Sequence, residues 1–266
     1  MPSPYESYQT MSVAVTDRVA TVTFQRPAKL NAVDALMHTE LSTIFAALQV
    51  DAGVDTVVLT GSGKAFSAGG DIEWMQSAID NPASFEQTVR EAKQIIFTLL
   101  DLEKPIVAKV NGHATGLGAT IALFCDVIFA AENAKIGDPH VSVGFVAGDG
   151  GAVIWPQLIG YARAKEMLMT GDLISATKAA EWGLVNYAVP ADVLDAKVDA
   201  FVQKLNNGAR KAIRWTKVSV NIGLKQLAHS IMDASLAYEA LSNGTADHAE
   251  AVAAFREKRA PAFTGR

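Results

Sequence analysis

Residues 66–72 (Phe-Ser-Ala-Gly-Gly-Asp-Ile) and residues 111–118 (Asn-Gly-His-Ala-Thr-Gly-Leu-Gly) decide the fold that this sequence predicts. Each stretch follows a short apolar run, Val54–Thr60 or Pro105–Val110, and each leads into a helical pattern. Short apolar runs rich in β-branched residues are typical of buried parallel strands. The order strand, glycine-rich loop, helix therefore occurs twice, which predicts stacked βα units rather than one open nucleotide-binding sheet.

The pattern outside the two loops assigns the remaining elements. Alternating apolar residues over 12–24 predict two strands joined by a turn at Asp17-Arg18, and residues 126–131 predict a further strand. Asn31 is expected to cap a helix over 33–50. Further helices are predicted over 72–79, 82–102, 119–124, 152–159, 162–169, 176–182, 191–206, 209–241 (with interruptions) and 245–258.

These elements predict an α/β fold class. From residue 151 onward the pattern is almost entirely helical. We therefore expect an α/β core over residues 1–190 and a helical C-terminal region over residues 191–266. No charge run or Ser/Pro-rich linker separates the two, so they are expected to pack as one unit.

Composition limits the class of protein. The 266 residues carry 23 Lys and Arg against 28 Asp and Glu, a net charge of −5 with no basic stripe, which argues against nucleic acid as a partner. The longest apolar stretch, residues 119–131, is interrupted by Asp126 and is too short to span a bilayer. The first ten residues lack the basic and apolar regions of a signal peptide. The single cysteine, Cys125, excludes an intramolecular disulfide and fits a reducing compartment, so we expect a cytoplasmic protein with no nucleic-acid or membrane partner.

Three common uses of glycine-rich loops fail or fit poorly. Gly63-Lys64 is followed by Ala65, so the hydroxyl that a P-loop places on magnesium is missing. Gly116-Leu117-Gly118 is followed by Ile121 where a dinucleotide fingerprint has a small residue, and no G-x-S-x-G nucleophile elbow occurs. What remains is either a pair of tight turns or an oxyanion hole, in which backbone N–H groups from two loops hold one carbonyl oxygen.

These loops resemble those of the crotonase (enoyl-CoA hydratase/isomerase) superfamily. The similarity lies in four segments: residues 66–72 with the motif F-x-A-G-x-D-[LI], residues 111–126 with N-G-x-[AC]-x-G-x-G and its following C-D, residues 26–32 with R-P-x-x-x-N-A, and residues 249–265 with the closing helix and E-K-R-x-P-x-F-x-G. They occur in the family's order along nearly the whole chain. The resemblance implies a crotonase-like spiral core of stacked ββα units, with a helical C-terminal region that forms homotrimers or dimers of trimers.

The resemblance also implies an acyl-CoA thioester as substrate. The family's two oxyanion donors correspond to the backbone N–H groups of Ala68 and Leu117, which would stabilise an enolate. The adenine of coenzyme A would lie near residues 64–68, with phosphate contacts from Lys29, Lys258 and Arg259. The other candidate substrate contacts are Lys64, Ser67, Gly69, Asp71, Ile72, Gly116 and Thr120. No metal is implied, and no cofactor beyond the coenzyme A that belongs to the substrate.

The acid and base of the family's hydratases are missing. Their two glutamates correspond to Thr120 and to His140 in the segment Gly-Asp-Pro-His. A threonine hydroxyl is no general base near neutral pH, whereas an imidazole can carry protons there. Asp149 follows nine residues later in a glycine-rich stretch and can orient His140 or act as a second acid. His140 is thus catalytic or a core histidine, and Asp149 is catalytic or a helix cap.

The His140 and Asp149 pair resembles the carbon–carbon hydrolase branch of the superfamily, which cleaves cyclic β-diketones by retro-Claisen attack of water without coenzyme A. Another histidine of that branch corresponds to Leu117, so the resemblance is partial. Three hypotheses follow: an acyl-CoA enzyme of the hydratase/isomerase type, a β-diketone hydrolase, and a catalytically silent binder of CoA ligands.

The remaining acids and histidines are expected to be structural. Glu132 and Asp138 are predicted to be surface or turn residues, and His113 a structural residue of the second loop. No ligand-like partner is expected for the histidines on predicted helices, which are His38, His229 and His248. None of these groups has the spacing of a metal site.

Overall fold

The structure, a computed structural model, describes residues 4–266, so the first three residues of the predicted core lie outside the described residues. The described residues form ten strands and nine α-helices. The strands are β1 (Met11–Thr16), β2 (Val19–Phe24), β3 (Thr56–Gly61), β4 (Ala65–Ser67), β5 (Ile106–Val110), β6 (His113–Thr115), β7 (Val127–Ala131), β8 (Lys135–Gly137), β9 (Leu173–Ser175) and β10 (Tyr187–Val189). The helices are α1 (Ala35–Val50), α2 (Ile72–Asp80), α3 (Phe85–Asp101), α4 (Leu117–Leu123), α5 (Gly151–Thr170), α6 (Ala176–Trp182), α7 (Leu194–Asn206), α8 (Arg210–Asn243) and α9 (Ala246–Glu257).

A six-stranded sheet with the order β1-β2-β3-β5-β7-β10 lies at the centre of the fold. β1 and β2 form the predicted antiparallel hairpin, and its turn residues Asp17 and Arg18 both have positive φ, which matches the twist of the flanking strands. The other pairs are parallel. β3 is buried along its whole length, which accounts for its continuous apolar sequence.

A second, four-stranded sheet has the order β4-β6-β8-β9. The strands β3, β5 and β7 of the large sheet are followed by β4, β6 and β8 of the small sheet, which are parallel to one another. Helix α2 then follows β4, and α4 follows β6. The repeated unit is therefore strand, strand, helix, which confirms the predicted α/β fold of stacked ββα units.

Both faces of the large sheet are covered by helices. Val57 and Leu59 of β3 belong to the main core, together with residues of α1 and α3, whereas their neighbour Val58 packs on the opposite face with α7. Met232 and Leu236 of α8 also belong to the main core. Helices that follow residue 190 thus contribute to both layers, and a division of the chain at that residue stays a prediction.

Asn31 does not cap α1, contrary to the prediction. The cap is Asp34, whose side chain accepts a hydrogen bond from the backbone N–H of Met37 at 2.9 Å. Asn31 is buried instead, and its side-chain amide donates to the carbonyl oxygens of Ser62 and Ala65 at 2.9 Å each. Its role is to hold the first glycine-rich loop, because buried backbone carbonyls need a donor.

The C-terminal half follows the predicted helical pattern with two differences. Helix α5 breaks at Gly160, where φ is 77° and ψ is 159°, which is the point between the two helices predicted there. β9 and β10 lie in gaps between the predicted helices of this almost entirely helical stretch, and at three residues each they are too short to show a period. No helix of residues 4–266 is long and apolar enough to cross a membrane.

Candidate active site

The two glycine-rich loops touch one another, and glycine is required where they do. Gly69 has φ of +82°, and a Cβ added there would lie 2.9 Å from the carbonyl oxygen of Thr115. Gly116 has φ of +54°, and its added Cβ would lie 3.7 Å from Cε1 of His140. The loops that follow β4 and β6 therefore meet each other and the imidazole of His140 at one place.

The backbone amide of Ala68 is not free to act as an oxyanion donor. It donates a hydrogen bond to the carbonyl oxygen of Leu30 at 3.0 Å, which corrects the prediction for this residue. The amides of Gly70 and of Leu117, the first residue of α4, have no acceptor among residues 4–266. Gly70 and Leu117 also line the same cavity. The pair of amides available to a carbonyl oxygen is therefore Gly70 and Leu117.

Two adjoining spaces meet at these loops. The inner cavity offers about 50 Å³ to the centres of water-sized molecules, several times what one water needs. The outer groove offers about 560 Å³ by the same measure. The inner cavity is lined by His38, Gly70, Trp74, Met75, Ala78, Phe85, Thr88, Ala92, Leu117, His140, Phe145, Asp149 and Glu239. The outer groove is lined by Ala28, Lys29, Leu30, Ala32, Ala68, Gly69, Gly70, Asp71, Ile72, Met75, Gly116, Pro139, His140, Ser142, Val143 and Phe255.

His140 lies at the junction of the two spaces, between carboxylates. Its Nδ1 is hydrogen-bonded to Oδ1 of Asp138, and its Nε2 lies 3.5 Å from Oδ2 of Asp149. The hydroxyl of Thr120 donates to Oδ1 of Asp149 at 3.4 Å. Glu239, from α8, also lines the inner cavity, and its buried Oε2 has no hydrogen-bond partner within the described residues. His140, Asp149 and Glu239 thus line this end of the cavity, and Asp138 lies behind the imidazole.

Burial and the charges of neighbouring groups shift the pKa values of His140, Asp149 and Glu239. Burial lowers the pKa of His140, but the carboxylates of Asp138 and Asp149 outweigh it and raise that pKa well above its ordinary value. Burial raises the pKa of Asp149, and the charge of Asp138 adds to the effect while His140 opposes it. Burial and the charge of Asp149 raise the pKa of Glu239 well above its ordinary value. This shift favours the protonated form of Glu239, which can donate a hydrogen bond.

The same three residues have the proximity of a metal site but a different geometry. Asp138, His140 and Asp149 each offer a ligand atom within 4.8 Å of the others. The two carboxylates, however, face different nitrogens of the same ring. An ion on Nε2 would leave Asp138 outside its coordination shell. The arrangement is that of a hydrogen-bonded chain, and the absence of a metal stays a prediction.

Asp138 differs from its predicted surroundings, and two helical histidines make contacts that the sequence did not predict. Asp138 is fully buried rather than a surface residue. His38 on α1 is also buried, and its Nδ1 lies 2.7 Å from Oε2 of Glu91 on α3. His248 on α9 stacks on Phe145 with the ring centroids 3.8 Å apart. Sequence spacing gave no signal for these features. The two histidine contacts join residues of different elements, and the side chain of Asp138 points inward from a tight loop.

The predicted substrate contacts divide into those that line the outer groove and those that do not. Lys29, Gly69, Asp71, Ile72 and Gly116 line it. Among the groove residues, Asp71 also has a structural task, because it caps α2 by accepting from the N–H of Glu73. The remaining candidates line neither space: Lys64 is exposed, Ser67 is buried with its hydroxyl donating to the carbonyl of Asn31 at 2.8 Å, Thr120 contacts Asp149, and Arg259 is ion-paired with Glu250 and Glu257.

Comparison with known proteins places the chain in a family. The profile of the family described as "Enoyl-CoA hydratase/isomerase" matches residues 15–266. The chain belongs to the enoyl-CoA hydratase/isomerase family. It is 34% identical to the probable enoyl-CoA hydratase echA8 of Mycobacterium tuberculosis over 98% of this chain and all of that protein. As a member of this family it has the crotonase fold.

Two solved structures show the range of activities named among similar proteins. An enoyl-CoA hydratase/isomerase from Mycobacterium paratuberculosis is 34% identical, with a TM-score of 0.89 over 92% of this chain and 97% of that one. A β-diketone hydrolase from the cyanobacterium Anabaena sp. PCC 7120, bound to (S)-3-oxocyclohexyl acetic acid, is 27% identical, with a TM-score of 0.85 over 92% of this chain and 98% of that one. The fold is therefore shared by proteins named for two different reactions.

Proposed function

We propose that this enoyl-CoA hydratase/isomerase family member is a hydrolase that cleaves the bond between one carbonyl carbon of a β-diketone and the carbon that lies between the two carbonyl groups. The observation that carries the proposal is the position of His140. Its imidazole lies between two buried carboxyl groups, at the junction of cavity and groove, where hydratases of the family are expected to have a glutamate. This arrangement can take a proton from water and return it.

The His140 and Asp149 pair activates the water. Nε2 of His140 and Oδ2 of Asp149 are 3.5 Å apart, so one water molecule can lie within hydrogen-bond distance of both. The inner cavity, which both residues line, has room for that water beside a substrate atom. Positioned proton transfer of this kind contributes about 10²- to 10⁴-fold to a rate.

The attacked carbonyl oxygen is held by the amides of Gly70 and Leu117. Water adds to the carbonyl carbon while the His140 and Asp149 pair takes one of its protons, and the developing negative charge collects on the held oxygen. The bond to the carbon between the two carbonyls then breaks, and its electron pair forms the enolate of the second carbonyl. The pair returns the proton to that carbon. One diketone and one water thus give one carboxylic acid and one ketone.

The inner cavity also offers a partner for the second carbonyl group. Burial raises the pKa of Glu239, which favours its protonated form, and its Oε2 has no partner among residues 4–266. A carboxylic acid in this state can donate a hydrogen bond to the enolate oxygen. The other walls are mainly apolar, with Trp74, Phe85 and Phe145 among them, which suits a hydrocarbon ring that carries two oxygens.

The solved β-diketone hydrolase supports this function, since it has the same fold over 92% of this chain and its bound ligand is a cyclic keto acid. A keto acid of this kind is the product expected when water opens one ring of a bicyclic β-diketone. The cleaved carbonyl becomes the carboxyl group, and the other carbonyl stays in the remaining ring. The similarity to proteins named as hydratases supports the family but not their acid and base, because Thr120 and His140 stand at the two expected glutamate positions.

Hydration of an enoyl-CoA thioester is the second candidate function, and the outer groove favours it. The groove has about 560 Å³ and is lined by Gly70, one of the two amide residues, and by Lys29, a candidate phosphate contact. A thioester could lie along it with its acyl part in the inner cavity. The same His140 and Asp149 pair would then take a proton from water at the β carbon and return it to the α carbon.

A paired assay tests the two functions. The purified protein is incubated with cyclic β-diketones and, separately, with crotonyl-CoA, and acid formation and loss of the conjugated double bond are followed. Cleavage of a diketone without coenzyme A is the expected result. Turnover of crotonyl-CoA alone would contradict it and establish the second function. Turnover of neither, equal to that of a His140→Ala/Asp149→Ala variant, would leave a silent ligand-binding protein.

We also propose a homotrimer or dimer of trimers, located in the cytoplasm. The C-terminal helices carry exposed apolar side chains, among them Trp215, Ile222, Leu241 and Phe255, which suit contacts between subunits. Light scattering on the purified protein is expected to give three or six times the chain mass of 28.2 kDa. A monomer would contradict this assembly.

A further inference from the structure

We propose that Asp138 is the positioning residue of His140: its carboxylate accepts a hydrogen bond from the N–H group at Nδ1, which leaves Nε2 as the nitrogen that exchanges protons with water. The kinetic consequence of this role rests on the proposed function, whereas the position of the proton does not. Nothing in the sequence singled out Asp138, which the pattern predicts to be a surface or turn residue.

The geometry around Asp138 supports this role. The side chain is fully buried, and Oδ1 is hydrogen-bonded to Nδ1 of His140. The same oxygen lies 3.4 Å from the backbone N–H of His140, two residues along the chain. Contact with both the backbone and the ring of one residue restrains the rotation of the imidazole. An ionised carboxylate only accepts hydrogen bonds, so the ring nitrogen that faces it must carry the proton.

The local chain explains why the carboxylate stays beside the ring. Pro139 lies between the two residues, and its ring fixes its own φ, which is −84° in the structure. His140 then begins a short 3₁₀ helix over His140–Val143. On the other side, Gly151 opens helix α5, and a Cβ added there would lie 2.3 Å from Oδ2 of Asp138. The absence of a side chain at position 151 is thus required for the carboxylate to occupy this place.

A purely structural role does not account for the polar contacts of Asp138. Its Oδ2 is buried with no hydrogen-bond partner among the described residues. An unpartnered buried oxygen of a carboxyl group opposes folding, because its hydrogen bonds to water are lost and not replaced. A residue selected only for stability would satisfy both oxygens, as Asp55 does with Arg18, Arg210 and Arg214. The negative charge beside His140 is what this arrangement provides.

The remaining charged groups near His140 act on its other side. Asp149, just before α5, faces Nε2, and Glu239 of α8 lines the same cavity. Asp138 is the one described carboxylate in hydrogen-bond contact with Nδ1. The two ring nitrogens therefore have different partners: a fixed acceptor at Nδ1, and the water-exchanging pair with Asp149 at Nε2. A histidine held in this way by a carboxylate keeps the tautomer that its task requires.

The position of the proton is measured on the wild-type protein. Histidine is labelled with ¹⁵N, the signals of His140 are assigned with the His140→Gln variant, and the tautomer is determined at a pH where the imidazole is neutral. The expected result is a proton on Nδ1, protected from exchange with solvent. A proton on Nε2, with Nδ1 unprotonated, would overturn the proposal. This measurement needs no substrate and no variant at position 138.

The consequence for turnover is measured with Asp138→Asn, and Asp55→Asn is the control for loss of a buried carboxylate away from the cavity. In Asp138→Asn, kcat is expected to fall by about 10- to 10⁴-fold with little change in KM. The pH at which His140 loses its proton should move lower, because the charge that stabilises the imidazolium is gone. Asp55→Asn should leave the kcat pH profile unchanged.

The outcomes separate this proposal from the proposed function. An Asp138→Asn variant with the wild-type imidazole titration and the wild-type kcat profile would overturn the role of Asp138. If the wild-type protein cleaves no diketone, the proposed function fails, but an Nδ1 proton that is lost or displaced in Asp138→Asn still supports the role. A kcat loss in Asp55→Asn equal to that in Asp138→Asn would attribute the effect to stability and contradict the proposal.

Discussion

Asp55 and Asp149 are both buried aspartates, yet their surroundings are opposite. Asp55 lies just before β3 and is ion-paired with Arg18, Arg210 and Arg214. Hydrogen bonds and charge from these guanidinium groups, Arg18 first, lower the pKa of Asp55 to about 2. Asp149 lies beside the inner cavity with one imidazole and two other carboxyl groups, and burial raises its pKa.

The number of cations around each carboxyl group distinguishes an aspartate with a structural role from one suited to proton transfer. At Asp55, three guanidinium groups face one carboxylate, so the carboxylate stays ionised at any ordinary pH. Its ion pairs connect the β1–β2 turn to α8. At the cavity, carboxyl groups outnumber the single imidazole, so protons must be shared among them. Shared protons are what a catalytic pair needs, and perturbed pKa values of this origin are typical of functional sites.

The largest effect is expected from removing the imidazole at the cavity. His140→Ala should lower kcat for the proposed substrate by about 10²- to 10⁴-fold, because no other group can exchange protons at that position. The melting temperature should fall, because the substitution removes a buried side chain and leaves the carboxyl group of Asp138 without the ring nitrogen to which it is hydrogen-bonded. Steady-state kinetics and thermal unfolding check both parts. Activity close to that of the wild type would show that His140 is a core histidine.

The next largest effect tests the amide pair. Leu117→Pro removes one N–H group at the first position of α4, where proline is tolerated. Removal of one oxyanion donor raises the barrier by about 2.7–4 kcal/mol, or roughly 10²- to 10³-fold in kcat. Leu117→Ala keeps the N–H and is the matched control. Equal activity of the two variants would contradict the assignment of this amide.

A smaller effect is expected from changing Glu239. Burial and the charge of Asp149 raise the pKa of this carboxyl group and so favour its protonated form, which glutamine can replace as a hydrogen-bond donor. Glu239→Gln should retain activity within about 10-fold, whereas Glu239→Ala should lose about 1–3 kcal/mol of stabilisation, roughly 5- to 150-fold in kcat. If Glu239 acts as an ionised base, the two variants will fall equally.

The smallest effect on activity is expected at the other aspartate. Asp55→Asn should leave kcat unchanged and reduce the free energy of unfolding by about 2 kcal/mol at pH 7, because charged hydrogen bonds are weakened. Since the folded pKa of Asp55 is about 2, below its ordinary value of 3.8, this stabilisation is present above pH 4 and is lost as the pH falls toward 2. Urea unfolding at pH 7 and pH 2 measures it. A difference between wild type and variant that is as large at pH 2 as at pH 7 would be inconsistent with this account.

The sequence predicted the fold more completely than the site. The hairpin turn at Asp17-Arg18, the apolar run that became β3 and the two glycine-rich loops all have local signals, because turns, strands and loops depend on neighbouring residues. The site depends on contacts between distant elements. Glu239 comes from the middle of α8, and no pattern within that helix indicates that its side chain meets His140 and Asp149.

The two errors at the site have physical reasons. Ala68 and Gly70 stand two residues apart in the same loop, and the hydrogen bond from Ala68 to Leu30 that decides between them joins two loops. Asp138 is an acid in a tight Gly-Asp-Pro-His segment, a composition typical of exposed turns. Its burial follows from the position of α5, which packs over it at Gly151. The preferences of single residues carry no information on the hydrogen bond of Ala68 or on the packing of α5 over Asp138.

The central claim, that water activated at His140 breaks a carbon–carbon bond, is tested most directly with isotope-labelled water. A cyclic β-diketone is converted in H₂¹⁸O, and the acid product is analysed by mass spectrometry. We expect one ¹⁸O atom in the new carboxyl group of the acid. The wild-type protein should form this acid, and the His140→Ala variant should not. Formation of no acid, under conditions in which the same preparation hydrates crotonyl-CoA, would contradict it.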